Sequence, residues 1–300
     1  VQEGLSATGG VISDYTSGSD VYRAHVFNES GIFNVTSLSS VPSLPDNVDY
    51  LLVAGGGGTA SSSVNRAGGG GAGGFLTGST PVSKSPYTIT IGAGGAGEGT
   101  SSVNGVPTTA FGQTAYGGGY GGYNDHLPTS TGGDGGSGGG AWYISPGGVG
   151  GKGVYPGSPY IDAPRQGYDG YPGSGSPEYG GSGGGAGGAG GRGNSPGPGA
   201  PNVYAYGPTN PVTYAAGGAA SDYTNANRTA NGVSGTGNGG SGEGSGGSGV
   251  AVIRYKIASI AAQKATGGAV SFYGGKTIHT FVNSGTFANP TALNGGSSNP

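Results

Sequence analysis

Apolar and polar positions alternate, or run together, in four short stretches that read as β-strands. "VYRAHVF" sets Tyr22, Ala24 and Val26 against Arg23, His25 and Phe27, the period of two of a half-buried strand. "VDYLLVA" is apolar almost throughout and reads as a more deeply buried strand, entered through the proline-containing turn in "SVPSLPDN". "PYTITIG" places Tyr87, Ile89 and Ile91 on one face and Thr88 and Thr90 on the other. "GVAVIRYKI" is a strand in need of a partner, and "VDYLLVA" is the natural one. Between these two, over residues 55–249, side chains nearly vanish.

The chain holds 77 glycines and 19 prolines in 300 residues, a level that accompanies either disorder or fibrous structure. Disordered chains are usually highly charged and poor in aromatics. Here only 8% of residues are charged and Phe and Tyr number 26, so a glycine-dependent ordered structure is expected. Without a Gly-X-Y period it is not collagen. Glycine runs can instead adopt the extended left-handed helix of three residues per turn, whose backbone groups must bond to neighbouring segments. Bare backbones can pack that closely only if interruptions stay small, as in "GGGAGGAGG". The competing reading is a flexible glycine/serine linker. The expected fold is therefore mostly β, with short strands framing packed polyglycine-II-like segments and almost no helix. It divides into an N-terminal β-hairpin region (1–54), a glycine-rich region (55–249) with a Tyr-rich centre (112–223), and a closing strand and connector (250–264).

The remainder, 265–300, repeats the beginning. "ATGGVISDYTSGSDVYRAHVFNESGIF" at 7–33 returns as "ATGGAVSFYGGKTIHTFVNSGTF" at 265–287, with His25, Phe27 and Phe33 matched by His279, Phe281 and Phe287. The chain thus reads as one whole unit and the start of a second, an arrangement that suits a fibre or stalk.

Charge is small overall, −3, but uneven. Glu3, Asp14, Asp20, Glu29, Asp46 and Asp49 face only Arg23 in residues 1–50, whereas residues 251–300 carry Arg254, Lys256, Lys264 and Lys276 and no acid. Head-to-tail self-association is one expectation from this complementarity. The absence of cysteine removes disulfides and thiolate metal sites. Without an initiator methionine, the sequence reads as a processed chain or part of a longer one. No apolar run approaches the ~20 residues of a membrane span.

Thirteen of the nineteen tyrosines and Trp142 fall within 116–223, where phenylalanine is absent. Such rings either stack on sugars or partner proteins, or cap the glycine segments; Tyr120, Tyr123, Trp142 and Tyr143 are the best candidates for a contact surface. The central acids Asp125, Asp134, Asp162, Asp169 and Glu178 show no calcium-loop spacing. His25 and His279 sit in strand patterns as packing residues, and His126 lies beside Asp125 in a loop. "GGVGGKGV" at Lys152 is not a phosphate loop, because Pro146 replaces its first glycine and Gly153 its Ser or Thr. Basic residues are too few and scattered for nucleic acid. Asn28, Asn34 and Asn227 begin Asn-x-Ser/Thr sequons. No catalytic constellation and no cofactor motif is legible, so the protein is expected not to be an enzyme.

The order "HVFNESGIFNVTS…VDYLLVAGGGG…AGGGGAGGF…YTITIGAGGAG…GGSGVAVIRYKI" resembles the glycine-rich domain of bacteriophage tail-fibre and virion structural proteins and of related environmental bacterial surface proteins. The resemblance covers about 24–257. It implies an extracellular or virion-associated, non-enzymatic structural or adhesive module with no catalytic residue. The expectation is a self-assembling fibre component, phage tail-fibre-like or a microbial surface filament, with itself as partner. A carbohydrate-binding adhesin whose glycine-rich part is a stalk, recognising cell-surface glycans, is the alternative. Residues 112–180 depart from the resemblance in being rich in Tyr, Pro and Asp.

Overall fold

The computed structural model describes residues 4–60, 67–98, 101–123, 131–142, 148–157, 164–175, 178–202, 204, 212–221, 229–259, 265–273 and 276–288. Among these there is no helix. The N-terminal strands are β1 (Ser6–Thr8), β2 (Val11–Ser17), β3 (Asp20–Phe27), β4 (Gly31–Ser37), β5 (Asn47–Val53), β6 (Phe75–Pro81) and β7 (Pro86–Ile89). Short ribbons follow: β8 (Gly97–Glu98) with β9 (Ser101–Ser102), β10 (Thr108–Ala110) with β11 (Gln113–Ala115), β12 (Ser174–Gly175) with β13 (Glu178–Tyr179), and β14 (Ala200–Asn202) with β15 (Val212–Tyr214). The long strand β16 (Val250–Ser259) precedes a separate hairpin of β17 (Ala269–Tyr273) and β18 (Lys276–Thr280).

Two antiparallel sheets form a sandwich. The larger has the order β2-β3-β16-β5-β6 and the smaller β1-β4-β7. "GVAVIRYKI" pairs with "VDYLLVA" in the register Val250↔Val53 to Arg254↔Asp49, and its other edge pairs with β3 from Ala251↔Phe27. Alternation along β5 and β16 then decides what each face meets. Val48, Tyr50 and Leu52 of β5 and Ala251, Ile253 and Tyr255 of β16 enter the core shared with Phe33, Val35 and Ile89 of the smaller sheet. Leu51, Val53, Val250 and Val252 point the other way and are covered by Ala72, Tyr214 and Ala215 of the glycine-rich region. Covering both faces explains why "VDYLLVA" lacks polar alternation. Each fully buried leucine in it contributes roughly 2 kcal/mol.

Part of the charge imbalance between the ends is taken up within the chain, because β16 lies beside the N-terminal strands. Arg254 Nε meets Asp49 Oδ2 at 2.9 Å and Lys256 Nζ meets Asp20 Oδ1 at 2.7 Å. Arg23 binds Asp14 with both ends of its fork, at 2.8 Å each. The pairs of Arg254 and Lys256 bring the ends of one unit together and engage two of the C-terminal cations within the chain.

Past Val53 the strand becomes a different structure. Backbone N–H groups of residues 54–59 donate in rotation to three neighbours: Ala54 and Gly57 to the carbonyls of Gly74 and Gly71, Gly55 and Gly58 to Val106 and Val103, Gly56 and Thr59 to Gly247 and Gly244, all at 2.9–3.1 Å. A strand alternates between two neighbours. A change of partner at every residue that returns after three is the mark of three residues per turn. Residues 68–74 repeat the pattern toward Gly122, Gly119 and Tyr116, toward Gly181 and Gly184, and toward Gly240 and Gly237. The carbonyls of Gly55, Gly56, Gly57 and Gly58 in turn accept from Gly118, Gly95, Gly240 and Gly121. Segment 54–60 is therefore enclosed on all sides, and every residue in it is buried. Backbone so deeply buried is tolerable because its polar groups are bonded. It also answers why side chains stop. A methyl group on Gly57 would fall on the Gly119 carbonyl oxygen, and one on Gly240 on that of Gly244.

Candidate functional site

The glycine segments end in flanks where side chains return, and there the Tyr-rich centre lies. Tyr120 and Tyr123 sit half-buried on segment 116–123, which adjoins segment 131–142 through Gly122 N–H and the Gly140 carbonyl, 2.9 Å apart. The Tyr120 ring lies against Gly133, and its backbone N–H donates to Asn104 Oδ1 at 2.8 Å. Tyr123 forms a backbone bridge with Ala67. Trp142 is 7% exposed, so its ring faces the interior of the bundle and offers little surface to a ligand. Tyr143 lies outside the described residues.

Several rings hold arginines. Arg165 lies between Tyr155 and Tyr168, with its guanidinium carbon 4.9 and 4.4 Å from the ring centres. Arg192 covers Tyr179 at 4.1 Å. Arg254 is held between Tyr22 and Tyr204 at 4.2 and 4.3 Å and donates to the Tyr15 hydroxyl at 3.0 Å, tying a flank of the glycine region to the sheet. Cation–π contacts of this kind are worth ~1 kcal/mol and more when water is excluded.

Asp134 and Asp169 serve local structure. Asp134 Oδ1 accepts the Lys152 backbone N–H at 2.6 Å. Asp169 accepts the Gly153 N–H and the Lys152 ammonium, both at 2.9 Å. Glu178 is in β13, while Asp125, His126 and Asp162 are outside the described residues. Among the described residues no group of three or more His, Asp or Glu side chains is placed to hold a metal ion. Of the sequons, Asn28 is exposed between β3 and β4, Asn34 is half-buried in the central strand of the smaller sheet, and Asn227 is outside the described residues.

His25 is completely buried. Its Nδ1 lies 2.6 Å from the Gly9 carbonyl, which can only accept, so the proton sits on Nδ1. Nε2 is then an acceptor for the Tyr255 hydroxyl at 3.2 Å, and that hydroxyl accepts the Ala7 N–H at 3.1 Å. Burial pushes the imidazole below its ordinary range, against the Gly9 carbonyl bond, which raises it. Burial likewise raises the Tyr255 phenol. Neutral His25 is thus a clamp across β1, β3 and β16.

Gln166 was not singled out by the sequence pattern, yet it closes one flank. Its Oε1 accepts the Tyr116 N–H and its Nε2 donates to the Thr114 carbonyl, each at 2.9 Å, in a side chain only 2% exposed. The buried hydroxyls of Ser182 and Ser221 act similarly, accepting the N–H groups of Ala220 (3.1 Å) and Ala67 (2.6 Å). Ser182 stands alone within a run of glycines, which was the available signal, whereas Gln166 in "APRQGYDG" and Ser221 in "GGAASDY" carry none.

No helix among the described residues is long and apolar enough to cross a membrane. No curated protein sequence matches the chain. A family model described as a glycine-rich domain matches residues 32–256, from β4 through the enclosed glycine segments into β16. The sandwich with its glycine bundle is therefore that of a glycine-rich domain, and the chain belongs to this family.

Proposed function

We propose that the protein is a non-enzymatic structural component of an extracellular or virion-borne fibre, phage tail-fibre-like or a microbial surface filament. The observation that carries this reading is the bundle of glycine segments cross-bonded in three directions. Such a bundle spends its sequence on rigidity. It has little side-chain chemistry with which to bind or transform a small molecule, and many mutually supporting bonds with which to resist bending and proteolysis. The repeated hairpin at 265–288 adds a second line of support, since units of one kind in series suit an elongated assembly. Arginines held between tyrosines and the buried Trp142 favour a structural role for these rings over a sugar-binding groove. Electron microscopy of the purified full-length assembly is the test. Filaments or virion appendages are expected; a monodisperse population of compact single particles at all concentrations overturns the reading.

A further inference from the structure

The hairpin of β17 and β18 reproduces the local structure of the β2–β3 hairpin. Pairing runs Ala269↔Thr280, Val270↔His279, Ser271↔Ile278, as Val11↔Val26, Ile12↔His25, Ser13↔Ala24 do in the first. The bridge Thr266↔Ala288 corresponds to Thr8↔Asn34. Gly267 and Gly268 take φ of 109° and 68°, matching 108° and 64° at Gly9 and Gly10, and the Phe281 ring lies against them as Phe27 does against the first pair. His279 Nδ1 lies 2.6 Å from the Gly267 carbonyl, and His279 meets Phe287 edge-on at 5.0 Å, as His25 meets Phe33 at 5.1 Å.

What differs is the cover. Phe27, Phe33 and Ala24 are 4%, 0% and 0% exposed, whereas Phe281, Phe287 and Ile278 are 39%, 62% and 42% exposed. In the first hairpin the cover includes β16, which pairs along the edge of β3 opposite β2 and sends Tyr255 to His25 Nε2. Among the described residues β18 pairs with β17 alone, and His279 Nε2, left an acceptor by the Nδ1 bond, has no partner. The chain's own β16 cannot serve, because β3 and β5 already occupy both its edges.

We infer that the second hairpin is a docking edge for an extended strand with the β16 pattern, a branched apolar residue two positions before a tyrosine. The strand adds antiparallel to β18, with its apolar residue opposite His279 as Ile253 stands opposite His25. Its tyrosine hydroxyl donates to His279 Nε2. Its side chains cover Phe281 and Phe287. The occupant is thus a strand from another unit of this type, presented unpaired. The inference rests on the repeat and its exposed face, independently of the fibre reading.

The test titrates the full-length chain with a synthetic peptide of Val250–Ser259 and reads amide shifts by NMR. One-to-one saturable binding with shifts confined to residues 276–288 is expected. The peptide carrying Tyr255→Phe should bind roughly fivefold more weakly, the loss of one hydrogen bond of about 1 kcal/mol. Against the His279→Ala chain the two peptides should bind alike. Varying the peptide leaves the chain's own folding untouched. Absence of saturable binding, shifts in β3 instead of β18, or equal binding of both peptides to the native chain each overturns the inference. So does a dimer, seen by sedimentation and abolished by Phe281→Ser, in which β16 of each copy stays paired with β3 and β5, since the face is then covered without an added strand.

Discussion

At Gly57 the backbone of a neighbouring segment occupies the place of a side chain, and one methyl group there must displace the Gly119 carbonyl. Carbonyl and segment are buried and bonded, so neither yields cheaply. Gly57→Ala should lower stability by roughly 3 kcal/mol, the upper part of the usual overpacking range. Gly18 is a control of another kind. Nothing lies within 4 Å of its missing Cβ, but its φ is 61°. Gly18→Ala should therefore cost only about 1 kcal/mol, from the left-handed backbone. Denaturant midpoints of both variants check this; equal losses would show that the bundle gives way where the geometry says it cannot. Small interruptions of glycine runs were legible as a packing requirement. Which ones carry bonds was not. Ser182, Ser221 and Gln166 replace backbone partners at segment ends, and nothing in their neighbours' polarity announces it.

Between elements, the clamp of His25, Gly9 and Tyr255 ties residues 230 positions apart. Its imidazole is neutral in the fold and held below its ordinary value of 6.5 by burial. As the pH falls through about 6.5, the unfolded chain takes up a proton that the folded chain refuses, so stability falls with pH from there down to the depressed folded value. Above that window His25 contributes no slope. Urea midpoints measured from about pH 7.5 to about pH 5 should decline for the native chain, and decline less for His25→Asn, which keeps a donor for the Gly9 carbonyl. An unchanged slope in the variant would remove His25 as the cause. The pairing of "VDYLLVA" with "GVAVIRYKI" was readable because both runs are too apolar to face water. The smaller sheet was less so, since β1 and β7 are short and each is separated along the chain from its partner β4 by strands of the larger sheet. The hairpin repeat was readable from residue identity, and its equal register follows from the matched His, Phe and glycine positions.

For the whole molecule, order should be greatest where side chains are fewest. Amides of residues 54–59 and 68–74 are bonded inside the bundle and leave it only when the bundle opens as a unit. Hydrogen exchange there should be as slow as in β5 and β16, and slower than in β2, an edge strand with Val11 and Ile12 exposed. Random-coil exchange in those segments of the folded chain would restore the flexible-linker reading. Sequence could establish that glycine segments pack, but not which adjoins which. Without side chains there is no pattern to specify neighbours, and the choice falls to run lengths, scattered Ala and Ser, and the strands at each end.

The central position of β16 in the larger sheet has a consequence for synthesis. β3 and β5 are made early, yet the strand that joins them emerges only after the whole glycine-rich stretch. Until then the nascent chain carries two partly assembled hairpins with unpaired edges facing one another across a gap. Contacts this distant along the chain favour slow acquisition of the native state. A ribosome stalled before residue 250 should therefore hold a protease-sensitive chain, and emergence of the ten residues of β16 should be followed by a slow conversion to a resistant one.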